Sequence, residues 1–382
     1  VGRAGPDAVP AHPDALLDAA AGHERLDDFG PVDKISEGLD VILRSLRAEP
    51  AIHALGRRHL RTLLLRVLAT RLRLYAARKR HPAIDAGPDR PPLIVCGLPR
   101  SGTTFLHRLL AEAQDAQALP LWQLMEPIPG RGRDRRIARA EKLVGRMARL
   151  APTSLDAQHL IRPELPDECG HLFKPALRSS ILWQAPLYDY LAWYQTQELD
   201  WAYEEYRAFL GVLQAPGKRL VLKDPFHCGH LGALFRALPR AMVVQTHREP
   251  AELVPSFHKL TLTAHCVLAD VVAPARMAKV NTRWLESVAD RTIDQRAAIP
   301  PSRLLDVSYR SLIADPVGTV RHIHQHFGLP WSEALADRLR GFAGDNGQRK
   351  HGDNPYRADD FGQTRAELER RFSRYRERFL AT

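Results

Sequence analysis

Leu93-Ile94-Val95-Cys96-Gly97-Leu98-Pro99-Arg100-Ser101-Gly102-Thr103-Thr104 is the stretch that decides how this chain folds. Its first four residues form a short unbroken apolar run, the pattern of a strand buried on both faces of a parallel sheet. Gly97 and Gly102 bracket a turn, and Phe105, Leu106, Leu109, Leu110 and Ala113 follow at helical spacing. Strand, glycine-bounded loop and helix open a parallel α/β unit. The G-x-x-x-x-G spacing lets backbone N–H groups converge on an anion at a helix N-terminus. Hydroxyls from Ser101, Thr103 and Thr104 supply further donors there.

The same alternation returns further along. Apolar runs at Leu220-Val221-Leu222, Ala241-Met242-Val243-Val244 and Arg303-Leu304-Leu305-Asp306-Val307 read as three more strands. Each precedes a helical pattern: Leu231, Leu234, Phe235 and Leu238 after the first, a helix opening at Pro250 after the second, and Val317, Val320, Ile323 and Phe327 after the third. The expected fold is α/β, a P-loop-type parallel sheet flanked by helices and wound with right-handed crossovers. Residues 1–90 read as an N-terminal helical region packed on the core, with Leu60, Leu63, Leu64, Val67 and Leu68 as an apolar stripe and Arg61, Arg66 and Arg71 among the polar positions. Pro91 and Pro92 end that region. Residues 91–382 then form the α/β domain. Within it, residues 119–216 lack strand–helix alternation and hold four of the six tryptophans, which suits a helical cap over a site.

Composition narrows the rest. Lys and Arg number 55 against 44 Asp and Glu, a net charge of +11, with 45% apolar residues, so the chain is globular rather than disordered. Four scattered cysteines exclude a disulfide scaffold, and none sits in a C-x-x-C pair. No apolar run approaches the roughly 18 residues of a membrane span, and no secretory leader is evident at Val1, so a cytoplasmic enzyme is expected. Residues 131–149 carry eight Lys/Arg, with Ile137, Leu143, Val144 and Met147 as an apolar face. Such a basic amphipathic helix is either a solvated surface or a peripheral contact with a membrane or lipid. His322, His324 and His326 read as positions on a helix rather than a metal tract.

The loop lacks the lysine that follows the second glycine in nucleotide triphosphatases; Thr103 stands there, and the cation is Arg100. Lys223 beside Asp224 would also compete with any Mg²⁺ at that strand end. Residues 97–104 resemble the 5′-phosphosulfate loop of the sulfotransferases that use 3′-phosphoadenosine-5′-phosphosulfate (PAPS). Val243-Val244-Gln245-Thr246-His247-Arg248-Glu249-Pro250, followed by Ser256, is similar to the family's strand-end Arg and helix Ser that hold the nucleotide's 3′-phosphate. Leu222-Lys223-Asp224-Pro225-Phe226-His227 resembles the Lys-Ser-Pro-x-His stretch of the bacterial branch, with Asp224 replacing Ser. Tyr309 stands where the family has a tyrosine near the adenine, and Arg349 and Lys350 where basic residues return to the 3′-phosphate.

The resemblance implies PAPS as co-substrate, a hydroxyl-bearing small-molecule, lipid or glycan acceptor, and no metal. Its nucleotide site would use Arg100, Ser101, Gly102, Thr103, Thr104, Arg248, Ser256, Tyr309, Arg349 and Lys350. A guanidinium can grip a phosphate bidentately, which suits Arg248. Lys223 is a candidate for the 5′ end. His227 is the first candidate for the general base, with a side-chain pKa suited to neutral pH, and Glu168 the second, with Glu126 behind it. Two other classes remain open on the residues: a P-loop kinase or NTPase, and a basic nucleic-acid-binding protein, against which the chain shows no base-recognition motif.

Overall fold

A computed structural model describes residues 10, 12–150, 161–345 and 356–381. Five strands, β1 (Leu93–Gly97), β2 (Ala116–Ala118), β3 (Arg219–Lys223), β4 (Met242–His247) and β5 (Leu304–Ser308), form one sheet in the order β2-β3-β1-β4-β5. All four pairings are parallel. Every residue of β1 is buried, as a central strand covered on both faces must be. Four of the five strands lie where apolar runs place them. β2 was not foreseen, because Ala116-Gln117-Ala118 is short, half-buried and carries no apolar run.

Strand alternation divides the interior in two. Ile94, Cys96, Leu220, Leu222 and Val243 face a large core shared with the N-terminal helices and the cap. Leu93, Val95, Val221, Met242 and Val244 face the other way, under the helices Thr103–Leu110, Pro316–Phe327 and Glu333–Asp345. The chain leaves β1 towards β2 and β3 on one side, then crosses to β4 and β5 on the other. The crevice at the carboxyl ends of β1 and β4 is therefore the switch point at which open α/β sheets bind ligands.

Three helices precede the sheet, Asp14–Glu24, Val32–Ala48 and Ala54–Arg80. The expected stripe is present, with Leu60, Leu64, Val67 and Leu68 buried. Arg71 departs from its expected polar position. It is fully buried, with both terminal nitrogens 2.7 Å from the Glu205 carboxylate and Nε donating to the Phe29 carbonyl. A buried guanidinium needs such a bidentate partner, and this one ties the longest N-terminal helix to the helix Asp200–Leu213.

The described residues between 119 and 216 form helices, among them Leu121–Met125, Arg136–Leu150, Tyr188–Tyr194 and Asp200–Leu213, and two 3₁₀ segments, Cys169–Ala176 and Ser180–Gln184. Most aromatic residues here pack the core, Tyr190, Tyr203, Tyr206 and Phe209 being almost wholly buried. Trp183, also part of that core, has one side on a cavity. The basic amphipathic segment is a helix over Arg136–Leu150, which turns Leu143, Val144 and Met147 inward and leaves Ile137 and Leu150 exposed at its ends. Among the described residues, no helix is long and apolar enough to cross a membrane. His324 is buried against Trp331 and 2.7 Å from the Pro330 carbonyl, while His322 and His326 stay exposed.

Candidate active site

The loop between β1 and the helix Thr103–Leu110 makes a tight return. Gly97 has φ +138°, and a Cβ there would meet the Thr246 carbonyl at 2.4 Å. Gly102 has φ +93°, and a Cβ there would lie 2.9 Å from the Tyr309 ring. Both glycines are required by backbone geometry and by close neighbours. Arg100 adopts φ +71°, a left-handed conformation uncommon for a residue with a Cβ and frequent at functional sites. Ser101 holds the loop closed: its hydroxyl donates to the Leu98 carbonyl at 2.6 Å and lies 2.7 Å from the Thr246 hydroxyl on β4. Its side chain is fully buried and points away from the cavity, so among the loop hydroxyls only those of Thr103 and Thr104 belong to cavity-lining residues.

That cavity, ≈ 360 Å³, opens at the switch point. Arg100, Gly102, Thr103, Thr104, Arg248 and Tyr309 line one side. Arg248 donates to the Arg100 carbonyl at 3.1 Å, pairs with Glu252 at 3.1 Å, and lies 4.4 Å from the centre of the Tyr309 ring. Burial, opposed by Tyr356 and reinforced by Arg248, pushes the Arg100 guanidinium below its ordinary range. Two guanidiniums converging on one recess gain from an anion between them. Ser256 is buried behind this wall, where its hydroxyl accepts from Arg100 Nε at 3.1 Å. It orients Arg100 in this structure and does not itself line the cavity. Arg349 and Lys350 lie outside the described residues.

Glu168 closes the far end. Its carboxylate takes a hydrogen bond of 2.9 Å from Lys223 Nζ, a side chain with no exposed surface. Lys223 stands at the end of β3 and reaches the cavity only through Glu168. Asp224, next in sequence, accepts from the Phe226 N–H at 2.8 Å and so caps the turn that starts Pro225–His230. Burial, with the Glu168 carboxylate, lifts its pKa to about 7.

His227 is placed elsewhere. It is 2% exposed, with Nδ1 2.8 Å from the Tyr203 hydroxyl and Nε2 3.3 Å from Cys169 Sγ. It sits among Phe173, Tyr203 and Tyr206 beside a void of ≈ 10 Å³, no larger than one water. Burial pushes its pKa down to about 3. Its two nitrogens are engaged inside the core, and of the two candidates for the base only Glu168 lines the cavity of the loop. Glu126 is likewise committed, gripped by Arg139 at 2.6 and 2.9 Å.

A second, more apolar cavity of ≈ 150 Å³ meets the first at Glu168, Trp183 and Leu260. Its walls include Leu60, Leu63 and Val67 from the N-terminal region and the inward face of the helix Arg136–Leu150. Sequence reasoning missed Trp183, Phe257 and Leu260. Phe257 and Leu260 were discoverable, since they fall at one helical face just beyond Ser256 on the helix that Arg248 precedes. Trp183 lies in the 3₁₀ segment Ser180–Gln184, too short to show a period in the sequence.

Residues 91–333 match the pattern of the sulfotransferase family. The omega-hydroxy-beta-dihydromenaquinone-9 sulfotransferase Stf3 of Mycobacterium tuberculosis (strain CDC 1551 / Oshkosh) is 27% identical over 269 residues, 68% of each chain. The crystal structure of sulfotransferase STF9 from Mycobacterium avium superposes with a TM-score of 0.85 at 25% identity, covering 97% of both chains. That of STF1 from Mycobacterium tuberculosis H37Rv gives a TM-score of 0.80 at 29% identity over 95% of this chain and 98% of the other. With its loop, its paired guanidiniums and a matching stretch that spans most of its length, the chain belongs to the sulfotransferase family.

Proposed function

We propose that the protein is a cytoplasmic enzyme that moves a sulfuryl group from PAPS to the hydroxyl of an apolar acceptor. The observation that carries this reading is the position of Glu168, which borders both the polar cavity of the phosphate-type loop and the apolar cavity beside it. The amides around Gly102 and the hydroxyls of Thr103 and Thr104 would hold the 5′ end of the donor together with Arg100. Arg248, backed by Tyr309 and braced by the Arg100–Ser256 bond, would take the 3′-phosphate. Bound there, the donor supplies an electrophilic sulfur whose bond to the 5′-phosphate oxygen is exchanged for one to the acceptor oxygen.

The chain's own residues supply position and charge. Glu168 takes the proton of the acceptor hydroxyl at its carboxylate. Lys223 is a positioning residue: its 2.9 Å bond fixes one carboxylate oxygen and leaves the other for the acceptor. The arginines gather where negative charge accumulates on the departing nucleotide. Stf3, a relative, is named for a long apolar alcohol, and the apolar second cavity fits an acceptor of that class here. The outer face of the helix Arg136–Leu150, basic and tipped by Ile137 and Leu150, fits contact with the anionic lipid surface from which such an alcohol would come.

Titration with adenosine 3′,5′-bisphosphate tests the reading. Micromolar affinity without magnesium, undisturbed by excess ATP, is expected. Magnesium-dependent ATP hydrolysis with no bisphosphate binding would return the protein to the kinase and NTPase class. Steeply salt-dependent binding to DNA or RNA alone would return it to the nucleic-acid binders.

A further inference from the structure

The second cavity is not uniformly apolar. The 3₁₀ segment Cys169–Ala176 runs along its wall, and such a helix brings side chains three apart into register. Glu168, His171 and Lys174 therefore form one row, and all three line the cavity. Glu168 is at the end that meets the loop; Lys174 is about 12 Å further along, from six residues at a rise near 2.0 Å. Lys174 Nζ lies 3.0 Å from His171 Nδ1 and has no carboxylate partner among the described residues. Arg66 approaches the same region from the helix Ala54–Arg80, and its Nε is buried without a hydrogen-bond partner.

These two cations are costly as they stand. The acids around them act at longer range, none within ion-pair distance of either cation among the described residues: Glu126 pairs with Arg139, Glu168 with Lys223, and Asp167 accepts the Glu168 N–H at 2.6 Å. His59 and Arg146 are the other titratable neighbours, and neither brings negative charge. Burial and the Arg66 charge push the Lys174 pKa down to about 7 against the more distant Asp167 and Glu168 carboxylates.

We propose that this row measures the acceptor: the protein's acceptor is an amphiphilic hydroxy acid whose carboxylate is held by Arg66 and Lys174, whose apolar body lies along the cavity, and whose hydroxyl meets Glu168. The position of the hydroxyl rests on the reading of Glu168 given above; the carboxylate site stands on the cavity alone. The apolar wall of Leu63, Val67, Val144 and Met147 fits an unbranched chain between the two polar ends. Lys174 and Arg66 then act as a selectivity device, holding a hydroxy acid more tightly than a neutral alcohol of the same length.

Calorimetric titration reports occupancy directly. The probes are 12-hydroxydodecanoic acid, its methyl ester and 1,12-dodecanediol, titrated into the full chain. The acid should bind at least about tenfold more tightly than the diol or ester, the scale of one charge-assisted hydrogen bond. Lys174→Met and Arg66→Met should each erode that preference, with diol affinity kept within about twofold. Equal binding of the three probes by the wild type overturns the proposal, whatever the variants do. So does a preference that survives in the double variant. Because binding is read without nucleotide or turnover, failure here leaves adenosine bisphosphate binding untouched, and loss of the latter leaves this result standing.

Discussion

Arg248→Ala probes the nucleotide site most directly. The guanidinium is 19% exposed, donates to the Arg100 carbonyl and rests over the Tyr309 ring, so its orientation is fixed before any ligand arrives. A hydrogen bond to a charged group is worth about 1.5–3 kcal/mol, and a pre-oriented fork loses little entropy in making two. Partial exposure and the Glu252 carboxylate at 3.1 Å trim that gain. A loss of about 2–3 kcal/mol is expected, equal to roughly thirty- to 150-fold in Kd for adenosine 3′,5′-bisphosphate. The decisive comparison adds 5′-AMP, which lacks the 3′-phosphate. In calorimetric titrations the wild type should prefer the bisphosphate strongly, and Arg248→Ala should abolish most of that preference while hardly changing AMP affinity. Arg248→Lys should fall between, since an ammonium keeps the charge but not the fork. A preference unchanged in Arg248→Ala would refute the assignment. Equal losses for both nucleotides would instead mean that the residue acts through the Arg100 carbonyl on the loop.

Four further outcomes are expected. Glu168→Gln should lower kcat about 10²- to 10⁴-fold with bisphosphate affinity within about threefold, measured by steady-state kinetics and calorimetry; near-normal turnover would remove Glu168 as the base. His227→Phe should leave turnover nearly intact but lower thermal stability by about 1–3 kcal/mol, because the buried Tyr203 hydroxyl loses its partner 2.8 Å away. Vesicles containing phosphatidylserine should co-sediment the protein, and Arg146→Glu with Arg149→Glu should release it; equal binding to neutral vesicles would remove charge as the cause. Stability should fall steeply with acid: burial pushes His107, His258 and His265 to about 4 and His227 to about 3. Their folded values lie below the unfolded one, so the unfolded chain binds more protons between about pH 4 and 6.5, and stability rises with pH across that window. Asp224, raised to about 7, acts in the opposite sense by one proton. With His59 at about 4 and His230 at about 3 adding to the four, the histidines outweigh Asp224 near pH 5, and urea midpoints that stay flat from pH 5 to 7 would contradict it.

What the sequence disclosed and what it hid follow from one physical distinction. Patterns made by the backbone's own periodicity are local, and they were readable. The buried run Leu93–Cys96, the two glycines with positive φ and the helix opening at Pro250 each declare themselves within a few residues. Side-chain direction is set by neighbours distant in sequence, and there the reading faltered. Ser101 and Ser256 have the hydroxyls an anion site wants, yet Thr246 and Arg100 claim them. His227 follows Lys223 by four residues, but the turn capped by Asp224 carries it into the cluster of Tyr203 and Tyr206. Arg71 looks like any helical surface arginine until Glu205, 134 residues away, is folded against it. Glu168 was legible only as a residue type. Its importance comes from Lys223 on β3 and from the two cavities that meet at its carboxylate, contacts that no local pattern encodes. A carboxylate shared by two cavities is thus a property of the junction between layers, whereas a glycine-bounded loop is a property of one strand and one helix. This is why the glycine-bounded loop was legible in the sequence, while the placement of Glu168 and the apolar cavity beside it required the folded chain.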